Sequence, residues 1–151
     1  MFRPALPYPP VGKESDSSKT HPQSSLQTMS DSASNGIHKR HVKRSSVTLF
    51  RFSALTFNPH KIHYDLPWAR DVEGHKNIVV HGPLNLISIL DFWRDLQHQA
   101  GGGKGEEVPE SISYRATSPL YADEEYVIVA EGGKVNIYDQ NGTVAMKAEI
   151  K

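Results

Sequence analysis

Cysteine is absent from all 151 residues, which excludes a disulfide scaffold, a thiolate nucleophile and a cysteine-ligated zinc site together. A net charge is absent too. The 17 Lys and Arg residues balance 17 Asp and Glu residues, so no global field draws the chain onto nucleic acid or an anionic membrane. No apolar run approaches the roughly 18 residues that a spanning helix needs, and no apolar signal core follows Met1. A soluble protein with neither a nucleic-acid nor a membrane partner is expected. Apolar periodicity is missing from the first third of the chain. Residues 1–46 are rich in Pro, Ser, Lys and His and have little apolar surface to offset the entropy of ordering them, so a disordered tail is expected there. Its basic cluster, His38, Lys39, Arg40, His41, Lys43 and Arg44, reads as solvated chain leading into a strand more readily than as a nucleic-acid or targeting patch. A mitochondrial presequence would also be basic and Ser-rich, but Glu14 and Asp16 fall early and no amphipathic helix precedes them.

What remains, residues 47–151, is long enough for one domain with one core. Val47, Leu49, Phe50 and Phe52 form a short β-favouring run that predicts an opening strand. Asn58 before Pro59 predicts a turn, and Asp65 is placed to cap a short helix with Pro67 in its first turn. After a buried β run at Ile78 to Val80, the spacing of Leu84, Ile87 and Leu90, with Leu86, Ile89, Phe92 and Trp93, predicts a central helix apolar around most of its circumference. Gly82 and Pro83 stand at its start, where proline is accommodated and backbone amides are free. The run from Gly101 to Gly105 predicts a flexible linker. It lacks the full spacing of a phosphate loop and follows a helix where such a loop would follow a strand. Strands are predicted at Ile112 to Ala116, Tyr126 to Ala130, Val135 to Tyr138 and Thr143 to Ile150, the last two joined by a tight turn at Asn141 and Gly142. The expected class is α+β, one antiparallel sheet against one helix.

The polar residues available for chemistry are Asn58, His60, His63, Asp65 and His81. Two histidines three residues apart could bind a metal, but neither a helical HExxH pattern nor cysteine support accompanies them, so no metal site is expected. A neutral histidine suits proton transfer near pH 7 when a carboxylate or amide fixes its tautomer. His63 with Asp65 or Asn58 is such a pairing. At Gly82 the helix's free amides and positive dipole end would stabilise a developing oxyanion, although spacing alone favours a simple helix start.

The run LFRFSALTFNPHKIHYD followed by ARDVEGHKNIVVHGPL resembles the MaoC-like hot-dog dehydratases, most closely the fungal 3-hydroxyacyl-thioester dehydratase type 2 and mesaconyl-CoA hydratase group. ISYRATSPLYADEEYVIVA and GTVAMKAEI are similar to that family's closing strands, so the resemblance spans about residues 46–151. It implies a single hot-dog domain in which an antiparallel sheet wraps a central helix. It also implies reversible removal of water from 3-hydroxyacyl thioesters of coenzyme A or acyl carrier protein, with no bound cofactor. His63 matches the motif's histidine, Asn58 and Pro59 its Asn-Pro, and Gly82 the glycine whose amide polarises the thioester carbonyl. The motif's aspartate falls at Thr56, with His60 and Lys61 as a two-residue insertion, so Asp65, His60 or a water held by Asn58 stands in as second partner. His81 and Pro83 join Gly82 as substrate-binding candidates. Members of the group resemble two fused halves and this chain resembles the catalytic one, so a homodimer or pairing with a second hot-dog unit is implied. A mitochondrial location is implied as well, with the cytoplasm as alternative. A noncatalytic acyl-thioester-binding subunit and an acyl-thioester hydrolase are the other functions this fold could host.

Overall fold

The computed structural model describes residues 27–101 and 108–151. Two strands, β1 (Gln27–Ser34) and β2 (Ile37–Arg44), come first, and helix α1 (Ser46–Leu55) follows at once. A 3₁₀ turn (Lys61–His63) and the short helix α2 (Leu66–Asp71) lead to the long helix α3 (Gly82–Gln99). Strands β3 (Ile112–Ala116), β4 (Glu125–Glu131), β5 (Lys134–Tyr138) and β6 (Val144–Ile150) complete the chain. The six strands form one sheet in the order β1-β2-β4-β5-β6-β3, each neighbouring pair antiparallel.

Residues 27–44 depart from the expected disordered tail. They form a hairpin that contributes two strands to the sheet, and the part of the expected tail before residue 27 lies outside the described residues. The turn is Asn35-Gly36, with φ of 51° and 74°, the pair of positive angles that a two-residue hairpin turn requires. The basic cluster therefore lies on β2 in the body of the sheet. Arg40, Val42 and Arg44 alternate inward and are buried, while Lys39 and Lys43 face out. Arg40 is held by both carboxylate oxygens of Asp31 at 2.8 and 2.7 Å, by Asp95 at 2.7 Å and by Asp91 at 3.3 Å. Its guanidinium carbon lies 4.6 Å from the centre of the Phe92 ring. The hairpin is thus tied by charge and stacking to α3.

The expected opening strand at Val47 to Phe52 is also corrected, because those residues lie within α1. Ser45 caps the helix by accepting a hydrogen bond from the Thr48 amide at 3.2 Å, a signal that outweighs the β-favouring composition of the run. At the other end Phe57 takes a φ of 53°, and the Asn58 amide donates back to the Ser53 carbonyl at 2.9 Å. This is a Schellman-type ending with phenylalanine where glycine is usual.

Helix α3 packs one face against the sheet. Leu84, Ile89 and Phe92 meet Val42, Ile128, Ile137 and Met146 in one core, each fully buried large side chain stabilising by roughly 1.5–3 kcal/mol. The expectation that α3 is enclosed on most sides is not met. Ile87 is 52 % exposed and Pro83 is exposed, so the helix presents a second apolar face outward. The closing strands lie where expected, but the β5–β6 connection does not have the expected two-residue turn. Gly142 has a φ of 79° and Asn141 is not in the positive region, while the Asp139 side chain accepts from both the Asn141 and Thr143 amides. The expected linker over Gly101 to Gly105 falls outside the described residues after Gly101.

Candidate active site

His63 ends the 3₁₀ turn and is 8 % exposed. Its Nδ1–H donates to the carbonyl of Val79 at 2.8 Å. The Val79 amide donates in turn to Ile62 at 2.9 Å, and the neighbouring Val80 amide to Leu120 at 2.8 Å. The Ile78 to Val80 run is therefore pinned on both sides and holds the imidazole at a fixed height. Because a carbonyl can only accept, Nδ1 carries the proton and Nε2 is left as a lone-pair base. Burial holds the His63 pKa below the ordinary histidine value of 6.5, opposed by the bond to Val79, with His60 and His75 adding to the depression. At pH 7 the ring is neutral.

His81 lies behind it, fully buried at the N-cap of α3, with ring centroids 3.7 Å apart and planes inclined by 19°. Its Nε2 is 2.8 Å from Ser53 Oγ, and Phe52 packs edge-on at 4.8 Å. Nδ1 is buried without a partner. The tautomer with the proton on Nε2, donated to Ser53, leaves Nδ1 as a bare acceptor and avoids a buried unpaired N–H. Burial, then the neighbouring His63, lowers its pKa to about 4. His81 is thus a neutral packing surface for the His63 ring.

The His81 side chain makes no capping hydrogen bond, so the first-turn amides of α3 stay open, and Pro83 has none. Gly82 and Leu84 are the donors there. A Cβ built on Gly82 would meet nothing within 4 Å, so the helix start faces open space. That space is a cavity of about 320 Å³ lined by His63, Val79, Gly82 and Asn85 on one side and by Ala116 to Leu120 with Met146 on the other. The base and the helix dipole's positive end therefore face a common volume.

The remaining expected residues are placed elsewhere. Asn58 accepts from the His60 amide at 3.1 Å and shapes the turn into the 3₁₀ segment. His60 is exposed and pairs with Glu73 at 3.3 Å, its ring 5.7 Å from His63. Asp65 caps α2, accepting from the Trp68 amide at 3.0 Å. Thr56, at the position of the motif's acid, sends its hydroxyl to the Phe52 carbonyl at 2.7 Å on the protein surface. None of Asn58, His60, Asp65, His81 and Pro83 lines the cavity. Asn85 does, and sequence reasoning passed over it. Its signal was a carboxamide inside the buried stripe of Leu84, Ser88, Ile89 and Phe92. Among the described residues no three His, Asp or Glu side chains converge to hold a metal ion, and no helix is long and apolar enough to cross a membrane.

The model of a family described as hydroxyacyl-thioester dehydratase type 2 matches residues 12–122. A mesaconyl-C(4)-CoA hydratase of Chloroflexus aurantiacus is 36% identical over 107 residues, 68% of this chain and 35% of that protein. A mitochondrial hydroxyacyl-thioester dehydratase type 2 of Schizosaccharomyces pombe is 29% identical over 90 residues, 59% of this chain and 28% of that protein. The chain thus covers about a third of the length of these relatives. Among solved structures, the (R)-hydratase of A. caviae involved in PHA biosynthesis superposes with a TM-score of 0.59 at 19% identity, covering 76% of this chain and 90% of that one. The fold is the hot-dog fold.

Proposed function

The chain belongs to the hydroxyacyl-thioester dehydratase type 2 family, and we propose that it is a hydro-lyase that interconverts 3-hydroxyacyl and enoyl thioesters of coenzyme A or acyl carrier protein. The observation that carries this reading is the His63 Nδ1–H bond to Val79, which frees Nε2 as a neutral base beside the open start of α3. In the dehydration direction His63 Nε2 takes a proton from C2, and the Gly82 amide stabilises the enolate oxygen that forms. The C3–O bond breaks, and the proton held on His63 goes to the departing hydroxide, so one ring balances the reaction and water leaves. The reverse path adds water to the enoyl thioester.

Asn58, His60 and Asp65 act in this scheme by shaping the turn that holds His63, and His81 by backing its ring. Thr56, bonded to its own helix, favours a second reading as a noncatalytic acyl-thioester-binding subunit. The hydration of crotonyl-CoA, followed as loss of enoyl absorbance, separates the two. Activity that vanishes in His63→Ala supports the hydro-lyase, no activity in the wild type at any concentration sinks it, and release of free thiol would mean thioester hydrolysis.

Pairing with a second hot-dog unit, another copy or a separate chain, is part of this reading. The exposed Ile87 face of α3, the outer strand β3 and the coverage of a third of the relatives' length support it. A mitochondrial location rests on the name of the fission-yeast relative.

A further inference from the structure

Asn85 lies one helical turn beyond Gly82, is 6% exposed and lines the same cavity. Its orientation is set from behind by a chain of hydrogen bonds that begins at a group able only to donate. Arg44, buried at the end of β2, gives Nη2–H to Ser88 Oγ at 2.9 Å, and Ser88 gives its own proton to the Leu84 carbonyl at 2.8 Å. The guanidinium also bonds the hydroxyl of Tyr126 on β4. Tyr126 must accept from it, so its single proton goes forward to Asn85 Oδ1 at 3.3 Å. Burial raises the phenol's pKa, so that proton stays in place. With Oδ1 engaged, the two Nδ2 hydrogens are what the carboxamide has to offer the cavity.

Three residues of helix separate Asn85 from Gly82, a rise of about 4.5 Å. A thioester oxygen seated on the Gly82 amide would place the next carbons of the acyl chain along this wall, between His63 and Asn85. We propose that Asn85 Nδ2 donates a hydrogen bond to the oxygen at C3 of the acyl chain, as the group that distinguishes a 3-hydroxyacyl thioester from its saturated counterpart. This assignment rests on the hydro-lyase reading. A donor that is buried and directed at one ligand oxygen rejects a ligand lacking it, because the polar group is then left unpaired. Asn85 holds the oxygen and transfers no proton to it. The relay also gives Tyr126 and Arg44 a task as positioning residues, since without them the carboxamide could turn its acceptor toward the substrate.

The test is calorimetric binding of 3-hydroxybutyryl-CoA and butyryl-CoA to the 151-residue chain, with crotonyl-CoA hydration measured in parallel. Wild type should bind the hydroxylated ester about tenfold more tightly. Asn85→Leu should bring the ratio close to one while butyryl-CoA affinity stays within about twofold. Tyr126→Phe, which keeps the ring and frees Oδ1, should lower the ratio in part, and it serves if Asn85→Leu proves misfolded by circular dichroism. A ratio unchanged in a folded variant, equal weakening of both esters, or a wild type that hydrates crotonyl-CoA yet binds the two esters alike overturns the assignment alone. A wild type that neither binds nor hydrates overturns the hydro-lyase reading and this assignment with it.

Discussion

The imidazole of His63 lies face to face with that of His81 at 3.7 Å, and both rings are neutral at pH 7. Each has one nitrogen fixed by a neighbour, Val79 for the first and Ser53 for the second. The front ring keeps an open lone pair toward the cavity, and the rear ring keeps the front one from tilting.

The activity of the protein should follow the protonation of His63. Its pKa lies below 6.5 because of burial, so the acid limb of kcat/KM for crotonyl-CoA should have its midpoint below pH 6.5. A pH–rate profile between pH 4 and 8 checks this. An acid limb with its midpoint at or above pH 6.5 would show that the base is a solvent-exposed group.

Folding stability should fall with acid over a window set by His81. Above about pH 6.5 the ring is neutral in both folded and unfolded chains, so it contributes no pH dependence. Between 6.5 and about 4 the unfolded chain binds a proton that the folded one does not, and each step down in pH favours unfolding until the folded ring titrates near 4. Urea unfolding midpoints should decline across that window, and His81→Phe, lacking the titrating group, should flatten the decline.

Gly82→Ala should separate folding from chemistry. The added methyl meets no atom within 4 Å in the folded chain, so the melting temperature should stay close to wild type. The same methyl enters the space where the thioester oxygen is to sit, and a displacement of that order costs on the order of 10²-fold in rate. A variant of full activity would remove the helix start from the site.

Arg40→Met should loosen the N-terminal hairpin. The buried guanidinium is gripped by Asp31, Asp91 and Asp95, whose side chains are 38–41% exposed, so the loss should sit at the low end for broken buried pairs, about 3 kcal/mol. Hydrogen exchange should localise it, with β1 and β2 amides losing protection before those of β5 and β6.

The parts of the fold legible in the sequence are those whose cause is local. Ile112 to Ala116 form the strand that their composition predicts, and Gly82-Pro83 open α3 as expected. β1 was not legible because its residues, QTMSDSAS, have no apolar face to alternate, and as the edge strand it needs none. Its announcement was Asn35-Gly36, the same dipeptide noted at 141–142 but set in a polar context. α1 was misread because aromatic and β-branched residues mask a cap that only Ser45 signals. Around the candidate site, the motifs single out His63 and Gly82, which line one cavity, whereas the Ser53–His81 contact spans 28 positions and the Tyr126–Asn85 contact 41, distances at which spacing carries no information.

The hairpin's place in the sheet has a practical meaning for anyone expressing the protein. Cutting at residue 46, where composition changes, would remove the neighbour that pairs with β4 from Glu125 to Glu131. It would leave Tyr126, Ile128 and Ala130 on a raw strand edge. Such a fragment would offer an open template for self-association and should precipitate on purification, and any assay on it would report the damage done by truncation.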